Sequence, residues 1–528
     1  MINDIKVELE KGECSLGIEF GSTRIKAVLI DSENNSIASG NYDWNNKNID
    51  GIWTYESDEI LKGLRECYSS LKKSVLKKYG IRLHTFKAMG VSAMMHGIIA
   101  VDKDNNLVTP FRTWRNNITS VESKELTELF DYPIPQRWTI AHLYKLIKEG
   151  VDLSQMDYAS TLSGYVHRLL TDKKVIGIGD ASGMFPIEGI DYKKDSLNKF
   201  DKILKESGYS YKIEEIFPKV LVCSDLAGTL TKEGAQLLDP SGELVEGIPF
   251  CPPEGDAETG MVATNSVAPR CGNVSAGTSV FSMIVLEKPL SKNYDKLDLV
   301  TTPEGHSVAM AHSNNCTSEY DSWIGLFKEM IGDLNLDVST PQLYDYLLNK
   351  ALEGSKNCKG LLTYPYVSGE HGTGFSEGRP MVIKNDIKEF NLSNFMRAEL
   401  FASLCAMRVG LDILFEDEGV SVDKIVGHGG FFKTQNVGGL IMSAATHNKV
   451  EVLSDAGEGG AYGIAVLASY VVNKKAKQSL GDFLNDEVFS DGESNIFLAD
   501  QDDIDGFNEY YHRYLDGLVI ERAAVDNF

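Results

Sequence analysis

The 528-residue chain is short of positive charge: 52 Lys and Arg stand against 76 Asp and Glu, a formal net charge of −24. A surface of that sign argues against nucleic-acid binding, which needs basic patches. Any anionic ligand then has to be held locally, by backbone N–H groups, a metal or a few placed cations. Long apolar runs are missing too. The longest, residues 464–472, is interrupted by Ser469 and falls well short of the ~20 residues that span a bilayer, so no membrane association is expected. The start Met1-Ile2-Asn3-Asp4 lacks the basic-then-apolar pattern of a secretory leader. The eight cysteines contain no C-x-x-C pair, which reads as reduced thiols in a cytoplasmic protein, with neither a disulfide frame nor a zinc cluster. His312 and Cys316 have helical ligand spacing, but two groups make no metal site. With 42% hydrophobic residues, 48 Gly and 15 Pro, the chain is not disordered, collagen-like or coiled-coil. Its length fits about two to four domains.

What is there is an alternation of strands and helices, the mark of an α/β fold. Residues 15–20 and 24–31 are β-rich and flank Gly21-Ser22-Thr23, which predicts a hairpin, with a third strand near 36–42. Residues 57–79 carry Ile60, Leu61, Leu64, Tyr68, Leu71 and Val75 at helical spacing. Asp58 and Glu59 sit in the first turn of that helix, Lys77 and Lys78 in the last, and Gly80 is the stop. A strand and a turn at Met95-His96-Gly97 follow. The second half opens like the first: Gly277-Thr278-Ser279 lies between residues 272–276 and 280–285, both strand-like. A repeated strand–turn–strand unit predicts two related domains, with 1–268 and 269–528 as boundaries and a crossing at 264–269. Further on, an apolar run ends in the glycine-rich turn 427–431. A helix is expected over 437–445, a strand over 450–453, a small-residue helix from 459, and a C-terminal helix over 504–521.

A tight hairpin turn offering N–H groups and hydroxyls is a small anion cup. Two of them, one per domain, would grip a polyphosphate from both sides, with Lys26 and Arg24 supplying charge beside the first.

These segments, in this order and spacing, resemble the FGGY family of carbohydrate kinases, within the actin-like ATPase superfamily, and the xylulokinase branch most. Residues 17–23 resemble the family's first phosphate loop and Gly277-Thr278-Ser279 its second. Residues 364–370 resemble a segment of its second domain, and 427–431 followed by 459–465 its adenosine-binding region. The resemblance implies two duplicated ribonuclease-H-like (actin/hexokinase-type) ATPase domains with an interdomain cleft. It implies ATP and Mg²⁺ as cofactors and a small sugar as substrate, and leaves a homodimer open. The reaction implied is phosphorylation of a ketose hydroxyl, a D-xylulose-like pentulose foremost. The alternatives are a kinase for ribulose, fuculose, rhamnulose or erythritol, or a non-catalytic sugar/ATP sensor.

Residue by residue, the resemblance implies Asp256 as catalytic base, in the G-D-x motif after Pro252-Pro253-Glu254. ATP would be bound by Gly21, Ser22, Thr23, Lys26, Gly277, Thr278, Ser279, Gly429 and Gly430, and Mg²⁺ held by Glu19. Met95 and His96 would line the sugar site, where an imidazole both donates and accepts. Trp114 would offer an apolar face, with Arg115 and Asn116 beside it. Residues 179–183 match a family segment of structural character. The chain departs from the family at three places. Glu19 stands for the usual Asp, Ser22 for Thr, and Trp114-Arg115-Asn116 for W-N-D. The added cation at Arg115 is accounted for either by a salt bridge to a protein acid or by a substrate carrying negative charge.

Overall fold

The structure is a computed structural model and describes residues 2–453, 459–490 and 494–528. The chain folds as two units. The first comprises Met1–Val267, Leu299–Ser307 and Ala456–Asp491, the second Ala268–Asp298, Val308–Asp455 and Gly492–Phe528. The first break falls inside the expected crossing, but the second half is not contiguous, because two of its segments fold with the first unit.

The first unit is built on β1 (Ser15–Phe20), β2 (Arg24–Ile30), β3 (Ser36–Asp43), the short hairpin β4 (Lys47–Ile49) and β5 (Ile52–Thr54), then β6 (Ala88–Ala93) and β7 (Glu254–Gly255). The five-stranded sheet has the order β7-β6-β1-β2-β3. β1 is antiparallel to β2 and parallel to β6, and β7 is parallel to β6. Helix α1 (Ser57–Tyr79) follows its predicted bounds and buries Ile60, Leu64, Tyr68, Leu71 and Val75, packing on β3. That face follows from the i, i+3/i+4 spacing of its apolar residues. A separate apolar core, around Phe130, Trp138, Phe185 and Phe200, supports the segments inserted between β6 and β7.

The second unit repeats the plan. β8 (Cys271–Ala276), β9 (Val280–Val285), β10 (Ser307–Ser313), β11 (Lys424–His428), β12 (Val450–Leu453) and β13 (Ser494–Phe497) lie in the order β10-β9-β8-β11-β12-β13. β8 is antiparallel to β9 and parallel to β11, and β12 is parallel to β11. Relative to its own first hairpin, each unit therefore has strand order 3-2-1-4-5 with the same directions, the duplication the paired hairpins predict and the ribonuclease-H-like arrangement the family resemblance implies. The predicted C-terminal helix is two, Gln501–Asp516 and Leu518–Asn527, separated by Gly517. The first buries Phe507, Tyr510, Tyr511 and Tyr514.

After β7, the first unit continues into α2 (Asp256–Ala263) and, nearly two hundred residues later, α3 (Gly459–Asn473). The sequence reading grouped 459–465 with the turn at 427–431. The structure instead lays α3 on β1, in the other unit. Its run of small residues is what allows this. A Cβ on Gly17 of β1 would overlap the Ala461 carbonyl oxygen and stand 2.5 Å from the Ala465 amide nitrogen. Backbone meets backbone there, so no side chain can yield. Gly17→Ala is expected to cost about 2 kcal/mol, read as a lowered urea midpoint. A variant as stable as wild type would show that α3 does not dock this closely. Among the described residues no helix is long and apolar enough to cross a membrane.

Candidate active site

In the first unit β1, β6 and β7 run parallel, so their carboxyl ends share one edge of the sheet. Ligands of α/β sheets bind outside the carboxyl ends of parallel strands. The three ends carry, in turn, the Gly21-Ser22-Thr23 turn, Met95-His96 and Asp256. Sheet topology thus brings together segments separated by up to 235 residues.

The first turn is clamped from its carbonyl side. Gly21 N–H donates to Arg24 O (3.0 Å), Trp44 Nε1–H to Gly21 O (2.7 Å) and Tyr55 Oη to Ser22 O (2.6 Å). The Trp44 amide donates to Thr23 O (3.1 Å). Trp44 and Tyr55 stack with centroids 3.9 Å apart. This aromatic support under the turn was not read from the sequence, where neither residue stands in a motif. Lys26 faces Glu19 across the β1–β2 ladder.

Asp256 is the first residue of α2, with Gly255 as N-cap, and its Oδ1 accepts the Met95 N–H (3.3 Å). Burial pushes its carboxyl up to about 6, against the pull of the Met95 and Ala257 amides. Glu19 Oε2 accepts the Ala461 N–H (3.1 Å). Burial, then the negative charge of Asp256, raises Glu19 to about 7, opposed by that amide and by Lys26. The proposed base and the proposed metal-side carboxylate thus feel each other's charge.

His96 is buried and sits at φ +68, a left-handed conformation that costs energy for a non-glycine residue and clusters at functional sites. Its Nδ1 lies 3.2 Å from Gly183 O. A carbonyl only accepts, so the Nδ1 that faces it carries the proton. Gly183, from the segment 179–183, thus holds the ring of the Met95-His96 turn. Trp114 is 38% exposed. Asn116 is placed differently from its expected role. Its Oδ1 accepts Trp53 N–H (2.8 Å), and its Nδ2 donates to Trp53 O (2.7 Å) and Thr113 O (2.9 Å). The amide is spent on the backbone, fixing β5 to the Trp114 segment, and is not left for a hydroxyl.

Behind Asp256 lies a trio of carboxyls: Asp180 from the segment 179–183, and Glu254 and Glu258 from either side of Asp256. Asp180, Glu254 and Glu258 are essentially unexposed. Glu254 Oε2 accepts the Asp180 N–H (2.9 Å), and Asp180 Oδ2 accepts from Thr161 (2.6 Å) and Ser163. Asp180 Oδ1, Glu254 Oε1 and both Glu258 oxygens have no hydrogen-bond partner. Burial raises Asp180 to about 7 against the Ser163 and Thr161 hydroxyls, Glu254 to about 8 against the Asp180 amide, and Glu258 well above the glutamate range, with the charges of Glu254, Asp180 and Asp256 adding to the last.

In the second unit, β8 and β11 are parallel, and their carboxyl ends carry Gly277-Thr278-Ser279 and Gly429-Gly430. Gly277 O and Thr278 O accept the amides of Thr317 and Cys316 (both 3.0 Å), tying the turn to the start of the helix Thr317–Asp333. Gly429 sits at φ +103, and a Cβ there would overlap Ala276 O, so only glycine lets the two turns meet. His428, one residue earlier, is held neutral by burial, down to about 4.

Among the described residues no cluster of three or more His, Cys, Asp or Glu side chains is arranged to hold a metal ion. One partly buried carboxylate beside the Gly21 turn suits Mg²⁺, which keeps several waters and is bound through one or two carboxylates plus substrate phosphates. Glu19 fits that role.

The model of the FGGY family of carbohydrate kinases, N-terminal domain, matches residues 14–263, and that of its C-terminal domain matches 272–472. The chain belongs to the FGGY family of carbohydrate kinases, with the two-domain α/β fold of the actin/hexokinase type. It is 20% identical to a xylulose kinase of Haemophilus influenzae over 521 residues, covering 95% of this chain and 99% of that protein. Among solved structures it is similar to a ligand-bound xylulose kinase (TM-score 0.78, 16% identity, 97% and 98% covered) and a gluconate kinase (TM-score 0.79, 16%, 96% and 98%), both from Lactobacillus acidophilus.

Proposed function

We propose that this chain transfers the γ-phosphoryl group of ATP to a hydroxyl of a small open-chain sugar, with Asp256 as general base and a ketose of the D-xylulose type as the neutral reference substrate. The observation that carries the reading is the convergence of Asp256, the Met95-His96 turn and the Gly21 turn on the carboxyl ends of three adjacent parallel strands. The sugar hydroxyl loses its proton to the Asp256 carboxylate as its oxygen bonds to the γ-phosphorus. The bond from that phosphorus to the β–γ bridging oxygen breaks, and ADP leaves. Phosphoryl transfer asks for positioning and charge neutralisation more than for covalent chemistry. Met95 N–H positions the base, and His96, on the same turn, belongs to the sugar side. The turn hydroxyls of Ser22 and Thr23, together with Lys26, engage phosphate oxygens. In the second unit, Gly277 to Ser279 with Gly429 and Gly430 are the residues assigned to nucleotide binding. Mg²⁺, held on the Glu19 side, supplies neutralisation of phosphate charge when bound. The named relatives act on a neutral ketose and on a sugar acid, so the likeness supports the reaction class more firmly than the sugar.

ADP release from MgATP over a panel of ketoses and polyols tests the reading, and absence of sugar-dependent release from every member overturns it. The base works as its carboxylate, and its affinity for a proton is raised to about 6. So kcat/KM is expected to fall about tenfold per pH unit below about pH 6, where an ordinary aspartate would keep activity to about pH 4. A pH–rate profile flat down to pH 5 would contradict the assignment.

A further inference from the structure

Arg115 has neither a carboxylate nor a carbonyl partner among the described residues. Its guanidinium lies over the Trp53 ring, 4.1 Å from the centroid. Other exposed arginines are paired: Arg24 with Asp43 (2.7 Å), Arg82 with Glu243 (2.6 Å) and Arg270 with Asp423 (2.6 Å). The salt bridge that the sequence left open as one account of this cation is therefore not made, in a chain with 24 more acids than bases. Stacking uses the flat face of a guanidinium and leaves its in-plane N–H fork unspent. It also fixes a flexible side chain in advance, so less entropy is lost when an anion binds.

The surroundings are those of the sugar wall. Thr113, two residues earlier, donates its N–H to Trp53 O (3.1 Å) and lies against Gly97, next to His96. Asn116, one residue later, locks the Trp53 backbone. Tyr55, two residues past Trp53, holds the first phosphate turn through Ser22 O. Trp114, the residue before it, is exposed. Every member of this group belongs to the unit that contains Asp256.

We infer that Arg115 selects an acidic substrate: the sugar carries a carboxylate at the end away from the hydroxyl that is phosphorylated, and the free guanidinium edge receives it. The inference rests on the kinase reading and refines its substrate. Planar guanidinium and carboxylate match as a two-bond fork. The Trp53 stack keeps that fork in place, and Asn116 keeps Trp53 in place.

The test measures kcat/KM on matched acid and neutral sugars: D-gluconate with D-glucitol, D-xylonate with xylitol, 2-keto-D-gluconate with D-fructose, and D-xylulose alongside. Wild type, R115Q and R115K are compared. The expected result is that one acid exceeds its neutral partner by about 100-fold in wild type. R115Q loses that advantage through KM for the acid, and R115K keeps part of it. Preference for the neutral sugars in wild type overturns the inference and leaves the kinase reading standing. Equal losses on acid and neutral sugars in R115Q overturn it too. A rise in KM for ATP, with KM for the acid unmoved, gives the cation to the nucleotide and likewise overturns it. If no sugar of either kind releases ADP although ATP binds, the kinase reading itself fails and takes the inference with it.

Discussion

Asp256→Asn is expected to lower kcat by about 10³-fold while the dissociation constant for ATP stays within a factor of about two. The asparagine carbonyl still accepts the Met95 N–H, so the N-terminus of α2 and the turn before His96 keep their places. What is lost is the ability to take a proton. Single-turnover ADP release beside calorimetric ATP binding separates the two effects. Turnover within tenfold of wild type would remove Asp256 from the chemistry and turn attention to Glu19, the neighbouring carboxylate. Glu19→Gln is then the control, because a base and a metal-side ligand respond differently to Mg²⁺ concentration.

The second large effect is one of stability. Glu258 is buried with both oxygens unpartnered, and its proton affinity is raised by burial and by Glu254, Asp180 and Asp256. A carboxyl whose folded pKa lies above its unfolded value destabilises the fold at neutral pH, and that cost shrinks as pH falls from the folded value toward the unfolded one, where it is gone. Glu258→Met, close in volume and without polar atoms, is expected to stabilise by about 3 kcal/mol at neutral pH. It is also expected to flatten the gain in stability that wild type shows on mild acidification. Urea unfolding at several pH values measures both. A destabilised variant would mean that the trio makes hydrogen bonds worth more than its burial costs. Buried polar groups kept at such a cost are characteristic of sites where function overrides stability.

The locally encoded parts of this architecture were legible. The hairpins around Gly21 and Gly277 announce themselves by β-rich runs flanking a turn, and α1 by its apolar spacing and end charges. Asp256 was legible through its motif. What escaped depends on chain segments far apart in sequence. Nothing near Trp44 or Tyr55 says that they buttress the Gly21 turn. Asn116 reads as a ligand for hydroxyls until β5 is seen to consume its amide. Asp180 lies in the matched segment 179–183 and Glu254 and Glu258 flank Asp256, but that all three are buried together is a property of the fold. The placement of 459–465 was misjudged for the same reason. Glycine and alanine at the start of a helix signal close approach, but not to which strand.

That placement bears on how the protein is made. β1 leaves the ribosome among the first residues, yet the helix that covers Gly17 begins at Gly459. At typical rates of synthesis the interval is on the order of a minute. Throughout it, the inner face of the first sheet lacks its cover, and the second unit's strands are emerging between the two halves of the first. The N-terminal unit therefore cannot mature in the order in which it is translated. Contacts closed over so long a stretch form slowly, and a nascent chain in that state presents apolar strand surface to its surroundings. The fold thus ties completion of the first sheet to residues 459–473.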